Sequence, residues 1–349
     1  MGRKDMKEER SLNIDLARIF AILGVTYYHI WKRMRRPENI VGIFNLDGFA
    51  KWGVIGVVIM FVISGYCMVG CYKRLENLPT GKRLKSFYIG RFLRIAPAYY
   101  ISILICCIFM ANNLKPQPYD LKDIITHLLF IHALSMETVT TIKGFYWYIS
   151  VQMLFYMLVP LIFFICKKAV QWLHLSDTAK KWFSVFACIF LFPLTWLPVF
   201  AEKEYIAMLP CFLVGMLAAY LKKIKIPKFI GILCFLGGLG MMFLKSTYFI
   251  PYDVYKCTAG IAIAVGLLWM PKINARNSLR TIIITISTAS YSIYLYQFAL
   301  FPFIPKKRGE FVMTLFVIFT VAVGLLMYLC VEYPISNLLC KNKKNPASE

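Results

Sequence analysis

The sequence predicts an all-α, polytopic integral membrane protein of about ten transmembrane helices with both termini in the cytoplasm. Three observations carry this prediction. Apolar residues fill 59% of the 349 positions before the 20 glycines are counted, whereas soluble domains reach roughly 45–50% with glycine included. Only 16% of residues are charged, and 40 Lys and Arg stand against 17 Asp and Glu. The apolar residues are gathered into ten runs of near-bilayer length. This pattern excludes an ordinary soluble enzyme, a disordered chain, collagen and a disulfide-stapled miniprotein. A net charge of +23 ordinarily suggests nucleic acid, but here the basic residues sit in short clusters between apolar runs. They read as cationic loops facing an anionic inner leaflet, with no nucleic-acid partner.

A bilayer core of about 30 Å takes about 20 helical residues. The runs are 12–31, 52–72, 95–112, 145–166, 182–200, 205–221, 228–244, 254–270, 282–304 and 311–333. They leave no room for a separate soluble domain, so the chain divides into a tail at 1–10, one membrane domain at 11–340 and a tail at 341–349. The first run carries Asp15, Arg18 and His29 and no small-residue cleavage site follows it, which argues against a cleaved signal peptide. In the second, Ser64 and Gly65 permit close helix approach, and packing is the role expected of that pair. The stretch 121–135 is too short to span and reads as an interfacial or re-entrant helix. Counted outside the spans, Lys and Arg number 25 on the side of the N-terminus and 13 on the other, which places both termini inside. The five basic residues of 32–51 face outward on this scheme, and an anionic glycan is one partner that would suit them.

The eleven cysteines form no Cys-x-x-Cys pair, and most lie within spans, where they serve as small apolar packing residues. His127, His132 and His174 lie in loops without ligand spacing, so no metal site is expected.

An ionisable side chain at mid-membrane costs at least about 2.5–3.5 kcal/mol, so each needs a partner, a wet cavity or a function. Asp15, Arg18 and His29 meet that test in the first span, Arg91 and Arg94 at the start of the third, and Glu332 at the end of the tenth. Arg18 and His29 are eleven positions apart, which at 100° and 1.5 Å per residue is about 20° from alignment and about 16 Å of rise. They share a face. Asp15 lies on the same stripe a turn below Arg18, where it would hold the guanidinium. Taken singly, Arg18 also reads as a snorkelling side chain and His29 as an interfacial ring, yet two independent accidents would not favour alignment. Arg91 and Arg94, three apart on one helix face with Pro97 a turn later, suit phosphate oxygens as well as membrane anchoring.

These residues together resemble the acyltransferase-3 family of integral membrane acyltransferases. Arg18 and His29 in LARIFAILGVTYYHIW match its opening arginine, ten residues and histidine. FVISGY, RFLRIAP, FYWYISVQMLFYMLVP, SYSIYLYQ and VEYPISNLL match further family segments in order, along essentially the whole chain. The chain departs from many members at Gln152, where they have glutamate, and at Gln297, where they have histidine. Glutamine does not titrate, so His29 is left as the main acid or base.

The resemblance implies a plasma-membrane enzyme, of the bacterial inner-membrane kind, that takes an acyl group from cytoplasmic acyl-CoA, most simply acetyl-CoA, to a hydroxyl of a cell-surface or lipid-linked glycan. Arg91 and Arg94, with Arg18, would bind the donor's phosphates. His29 would act as general base or carry the acyl group itself, with Tyr148, Ser64 or Arg18 as oxyanion donors. Asp15, Gln152, Tyr291 and Glu332 would support the site. A transporter or flippase of a lipid-linked or small polar substrate, and an inactive scaffold, are the alternatives.

Overall fold

A computed structural model describes residues 10–36, 38–110, 120–174, 176, 179, 204–221, 227–244, 252–306 and 309–342. It is 81% helical. In chain order the helices are α1 Leu12–Arg33, α2 Gly48–Lys73, α3 Thr80–Ile105, α4 Leu121–Leu128, α5 Trp147–Trp172, α6 Glu204–Leu221, α7 Lys228–Met242, α8 Tyr252–Trp269, α9 Asn277–Tyr296, α10 Glu310–Met327 and α11 Tyr333–Asn342. A π-helical turn, Tyr328–Glu332, joins α10 to α11. The run expected at 182–200 lies outside the described residues.

Among the described residues, four helical stretches are long and apolar enough to cross a membrane: Gly48–Lys73, Thr80–Ile108, Gly144–Trp172 and Glu310–Asn337. Met208–Leu221, Lys228–Met242 and Tyr255–Trp269 are apolar but shorter. The helix that holds the third apolar run, 95–112, begins well before the run itself, at Thr80. Pro79 precedes the first turn of α3, and the basic segment from Thr80 onward continues into the apolar stretch without a break. Arg91 and Arg94 therefore sit in the middle of a long helix, immediately before its apolar stretch. The stretch 121–135 folds as the eight-residue α4 followed by turns, about 12 Å of helix and far too short to span. A two-stranded hairpin, Ile40–Val41 with Phe44–Asn45, occupies the loop before α2.

α1 lies at the centre, packed against α2, α8, α9 and α10. Small residues set these approaches. A side chain at Gly65 would strike the Phe212 carbonyl, and one at Gly215 would strike that of Val62, so α2 and α6 touch backbone to backbone. This is the packing role expected of the Ser64-Gly65 pair. Asn13 fixes the foot of α1: its amide nitrogen donates to Leu267 O at 3.0 Å and Pro271 O at 3.1 Å, and its oxygen accepts from Ile273 N. The carbonyls at the end of α8 thereby gain a donor that a helix terminus otherwise lacks. α10 and the π-helical turn after it lie outermost, with Phe311, Ile318, Phe319 and Leu326 exposed on the first and Leu329 on the second, the apolar outer face that lipid requires.

Candidate active site

His29 stands one turn before the end of α1, in a box of aromatic rings. Its ring lies 5.8 Å from that of Phe145 and 6.2 Å from that of Phe301. Nδ1 is 2.8 Å from Gln297 Oε1. Gln297 is 1% exposed, and its Nε2 donates to Tyr294 O at 3.0 Å. That second bond decides the first. An amide nitrogen only donates, so the Tyr294 carbonyl fixes which way round the amide lies, and its oxygen must face His29. Nδ1 of a neutral His29 then carries the proton and Nε2 keeps the lone pair, the tautomer a general base needs. The sequence marks Gln297 only as a group that cannot titrate; the fold makes it the residue that orients the one that can. Lys32, Arg33 and Lys143 gather around this end, Arg33 donating to the Phe301 carbonyl and Lys143 lying over the Phe298 ring.

Arg18, deeper on α1, reaches the Cys67 sulfur of α2 at 3.4 Å. Asp15 does not hold it, contrary to expectation. The Asp15 carboxylate accepts two bonds from Arg10, at 2.8 and 2.6 Å, and one from Ser287 at 2.6 Å. The reason is directional: helical side chains lean toward the N-terminus, so Asp15 reaches back to Arg10. Among the described residues Arg18 has no carboxylate partner, and a thiol satisfies a guanidinium poorly.

Arg91 and Arg94 part company. The Arg91 guanidinium lies 5.9 Å from the centre of the Tyr156 ring on α5, and its buried Nε has no partner among the described residues. Arg94 turns the other way, to Glu332 at 2.8 Å and the Thr288 carbonyl. Both line a half-open cavity of about 280 Å³ with Pro97, Glu332, Ile335 and Ser336. Glu332 is 6% exposed and accepts a further bond from the Ser292 hydroxyl, so its role is to hold Arg94 at the cavity wall. Tyr291 and Tyr296 donate to Ile95 O and Ala98 O, both at 3.0 Å. These bonds pin α9 to α3 on either side of Pro97.

Between the two ends runs the α5 stripe Tyr148, Gln152, Tyr156. The hydroxyls of Tyr148 and Tyr156 both share hydrogen bonds with Ser64 of α2. Tyr148 packs on Phe61 and Tyr294, with ring centres at 4.8 and 5.1 Å. Gln152 is 4% exposed, and among the described residues neither its nitrogen nor its oxygen has a partner.

Sequence reasoning missed four groups here. Cys67 and Tyr156 sit on the expected helices but carry no sign of their proximity to Arg18 and Arg91. Lys256, an ionisable residue inside a span, belonged with the others; it is 4% exposed beside Cys211 and Cys257. His127 and His132 prove to be stacked face to face, ring centres 3.8 Å apart and planes at 4°, both fully buried against Tyr99 and Tyr146. Among the described residues no group of three or more His, Cys, Asp or Glu can hold a metal ion.

The chain is 25% identical over 170 residues to Nodulation protein 10 of Rhizobium leguminosarum bv. viciae, a match covering 43% of each chain. It is 27% identical over 181 residues to Regulator of hypoxia-inducible factor 1 of Caenorhabditis elegans, covering 45% of this chain and 36% of the relative. With Peptidoglycan O-acetyltransferase OatA of Listeria monocytogenes it shares 33% identity over 97 residues, 28% of this chain and 13% of that one. The matches thus span less than half the length of each of these relatives. No solved structure matches the chain. The acyltransferase domain model, however, runs across residues 11–332, through the helices that carry His29, Arg18, Arg91 and Arg94 as far as Glu332, and the chain therefore belongs to the acyltransferase-3 family.

Proposed function

We propose that the protein is a membrane O-acyltransferase that moves an acyl group, in the simplest case acetyl from acetyl-CoA, to a hydroxyl of a cell-surface or lipid-linked glycan. The observation that carries this is the arrangement of α1, α3 and α5: a histidine in one tautomer at one end of a buried polar stripe, a cavity with two arginines at the other. Arg91 and Arg94 bind the donor's phosphates from the cytoplasmic side, with Arg18 nearer the reacting end. Two guanidinium groups against one buried carboxylate leave the cavity cationic, as a diphosphate requires. Ten spans with both termini inside and a plasma-membrane setting complete the scheme.

His29 Nε2 takes the acceptor's hydroxyl proton while the acceptor oxygen bonds to the acyl carbon. As the carbon–sulfur bond breaks, the imidazolium returns that proton to the departing thiolate, so atoms and charge balance. Gln297 holds the ring in place through both transfers. Tyr148, Ser64 and Arg18 offer the donors for the oxyanion formed between them. Lys32, Arg33 and Lys143 around the His29 end favour an acceptor that carries negative charge.

The test is His29→Ala in native membranes, measured as acyl transfer to the acceptor. A general base contributes about 10²- to 10⁴-fold, so activity above about a tenth of the starting protein would rule out that role. Thermal stabilisation of the detergent-purified protein by CoA separates the enzyme from a transporter, which has no need of it.

A further inference from the structure

Gln152 is left with two unmet demands. Its side chain is 4% exposed, and among the described residues both the amide nitrogen and the amide oxygen lack partners. A buried amide without hydrogen bonds costs roughly 1–3 kcal/mol, and such a group in a folded protein calls for an explanation. Its position limits what can satisfy it. Residues 148, 152 and 156 follow at i, i+4 and i+8 on one stripe of α5, and the tyrosines above and below both reach Ser64, so the stripe faces α2. Phe145 touches the His29 ring, and Gln152 comes seven residues later, about 10 Å along the helix. One further turn brings Tyr156 and, over its ring, Arg91, whose buried Nε is also without a partner. The unsatisfied amide thus lies between the base and the phosphate-binding arginines.

We infer that Gln152 is the subsite for an amide group in the donor's flexible arm. This inference rests on the acyl-CoA reading of the site. Between thioester and diphosphate, the pantetheine arm carries two secondary amides. Each offers one N–H and one C=O, the complement of what Gln152 lacks: its Nε2 donates to the arm's carbonyl and its Oε1 accepts from the arm's N–H. A lipid chain in that place would leave both atoms of Gln152 unsatisfied. A glutamate there would accept but not donate, so glutamine suits an uncharged amide better than a carboxylate would.

The test compares Gln152→Met, which keeps the volume and removes the amide, and Gln152→Glu with the unaltered protein, all purified in detergent. Calorimetry measures the affinity of each for CoA and for 3′-phosphoadenosine 5′-diphosphate, the same nucleotide without the arm. Loss of a paired amide predicts CoA binding weakened about 10-fold or more in Q152M, with nucleotide affinity unchanged. Q152E should fall between. The melting temperature of ligand-free Q152M should match or exceed that of the starting protein, because a group without partners has been removed. Equal weakening of both ligands, unchanged CoA affinity, or a marked fall in melting temperature would overturn the assignment. If the unaltered protein binds neither ligand, the acyl-CoA reading fails and this subsite with it; if it binds the nucleotide and CoA equally well, only the subsite fails.

Discussion

The two ends of the buried stripe are built on opposite principles. At the His29 end every polar atom of Gln297 that matters is paired: Oε1 with the imidazole, Nε2 with the Tyr294 carbonyl, the whole enclosed by Phe145 and Phe301. At the arginine end the charges outnumber their partners, Arg91 has an unmet Nε, and an open cavity adjoins them. Complete pairing gives one geometry, which proton transfer needs. Incomplete pairing leaves donors free for a ligand that arrives with its own acceptors. The difference predicts that damage at the first end slows turnover and damage at the second weakens binding.

After His29 itself, the largest effect belongs to Gln297. Gln297→Leu removes the acceptor that holds the Nδ1 proton, leaving the ring free to change tautomer and to turn. Loss of such an orienting partner costs about 10- to 100-fold where it has been measured around metal-bound histidines, and the same scale is expected here in kcat, with the KM for acyl-CoA unchanged. Gln297→Glu should keep the orientation and recover most of the loss. A rise in KM in place of a fall in kcat would erase the contrast between the two ends.

A smaller effect separates the two arginines. Arg91 has no carboxylate partner among the described residues, so Arg91→Ala should raise the KM for the donor about 10-fold, the worth of one charge-assisted bond, and leave the melting temperature alone. Arg94→Ala removes the partner of Glu332, which is 6% exposed. An uncompensated buried carboxylate destabilises, though the 41% exposure of the arginine side chain softens the penalty. R94A should therefore lower both donor affinity and melting temperature, and R94A/E332Q should restore the second but not the first. If R91A destabilises as much as R94A, both arginines are structural.

How much of this was legible in sequence depends on which physical rule decides each feature. Apolar runs report helices because the bilayer leaves no other way to pair the backbone; α1, α2, α5, α8 and α10 appear where the runs place them. The start of α3 was hidden, because its first turns are basic and no hydropathy run announces them. The shared face of Arg18 and His29 follows from helix periodicity alone. Partners do not: Asp15 stands three positions from Arg18 and five from Arg10, yet it pairs with the more distant one, because side-chain direction and not sequence distance chose between them. Gln297, 268 positions from His29, is brought to it by the packing of α1 against α9. Periodicity within one helix contains no trace of such a pair.

The smallest effect lies outside both ends, in the histidine stack beside α4, and it decides how any pH profile of the enzyme is to be understood. Burial pushes His132 down to about 3, and the adjoining His127 adds to the shift. Burial lowers His127 as well, against the opposing pull of the Asp123 carbonyl that its Nδ1 faces at 2.8 Å. Well above pH 6.5, the ordinary value for histidine, neither folded nor unfolded chain protonates these rings, and their burial makes stability no more dependent on pH. As pH falls below 6.5 the unfolded chain binds protons that the folded one refuses, so stability declines progressively toward pH 3. The melting temperature of the purified protein should drop by a few degrees between pH 7 and pH 5. In His132→Phe, which keeps the stack apolar, that drop should shrink while activity at pH 7 is retained. The acid limb of the activity profile can then be divided. The part that disappears in H132F belongs to unfolding near α4, and the part that survives belongs to protonation of the base at His29; a limb that vanishes entirely in H132F would remove pH dependence as support for that base.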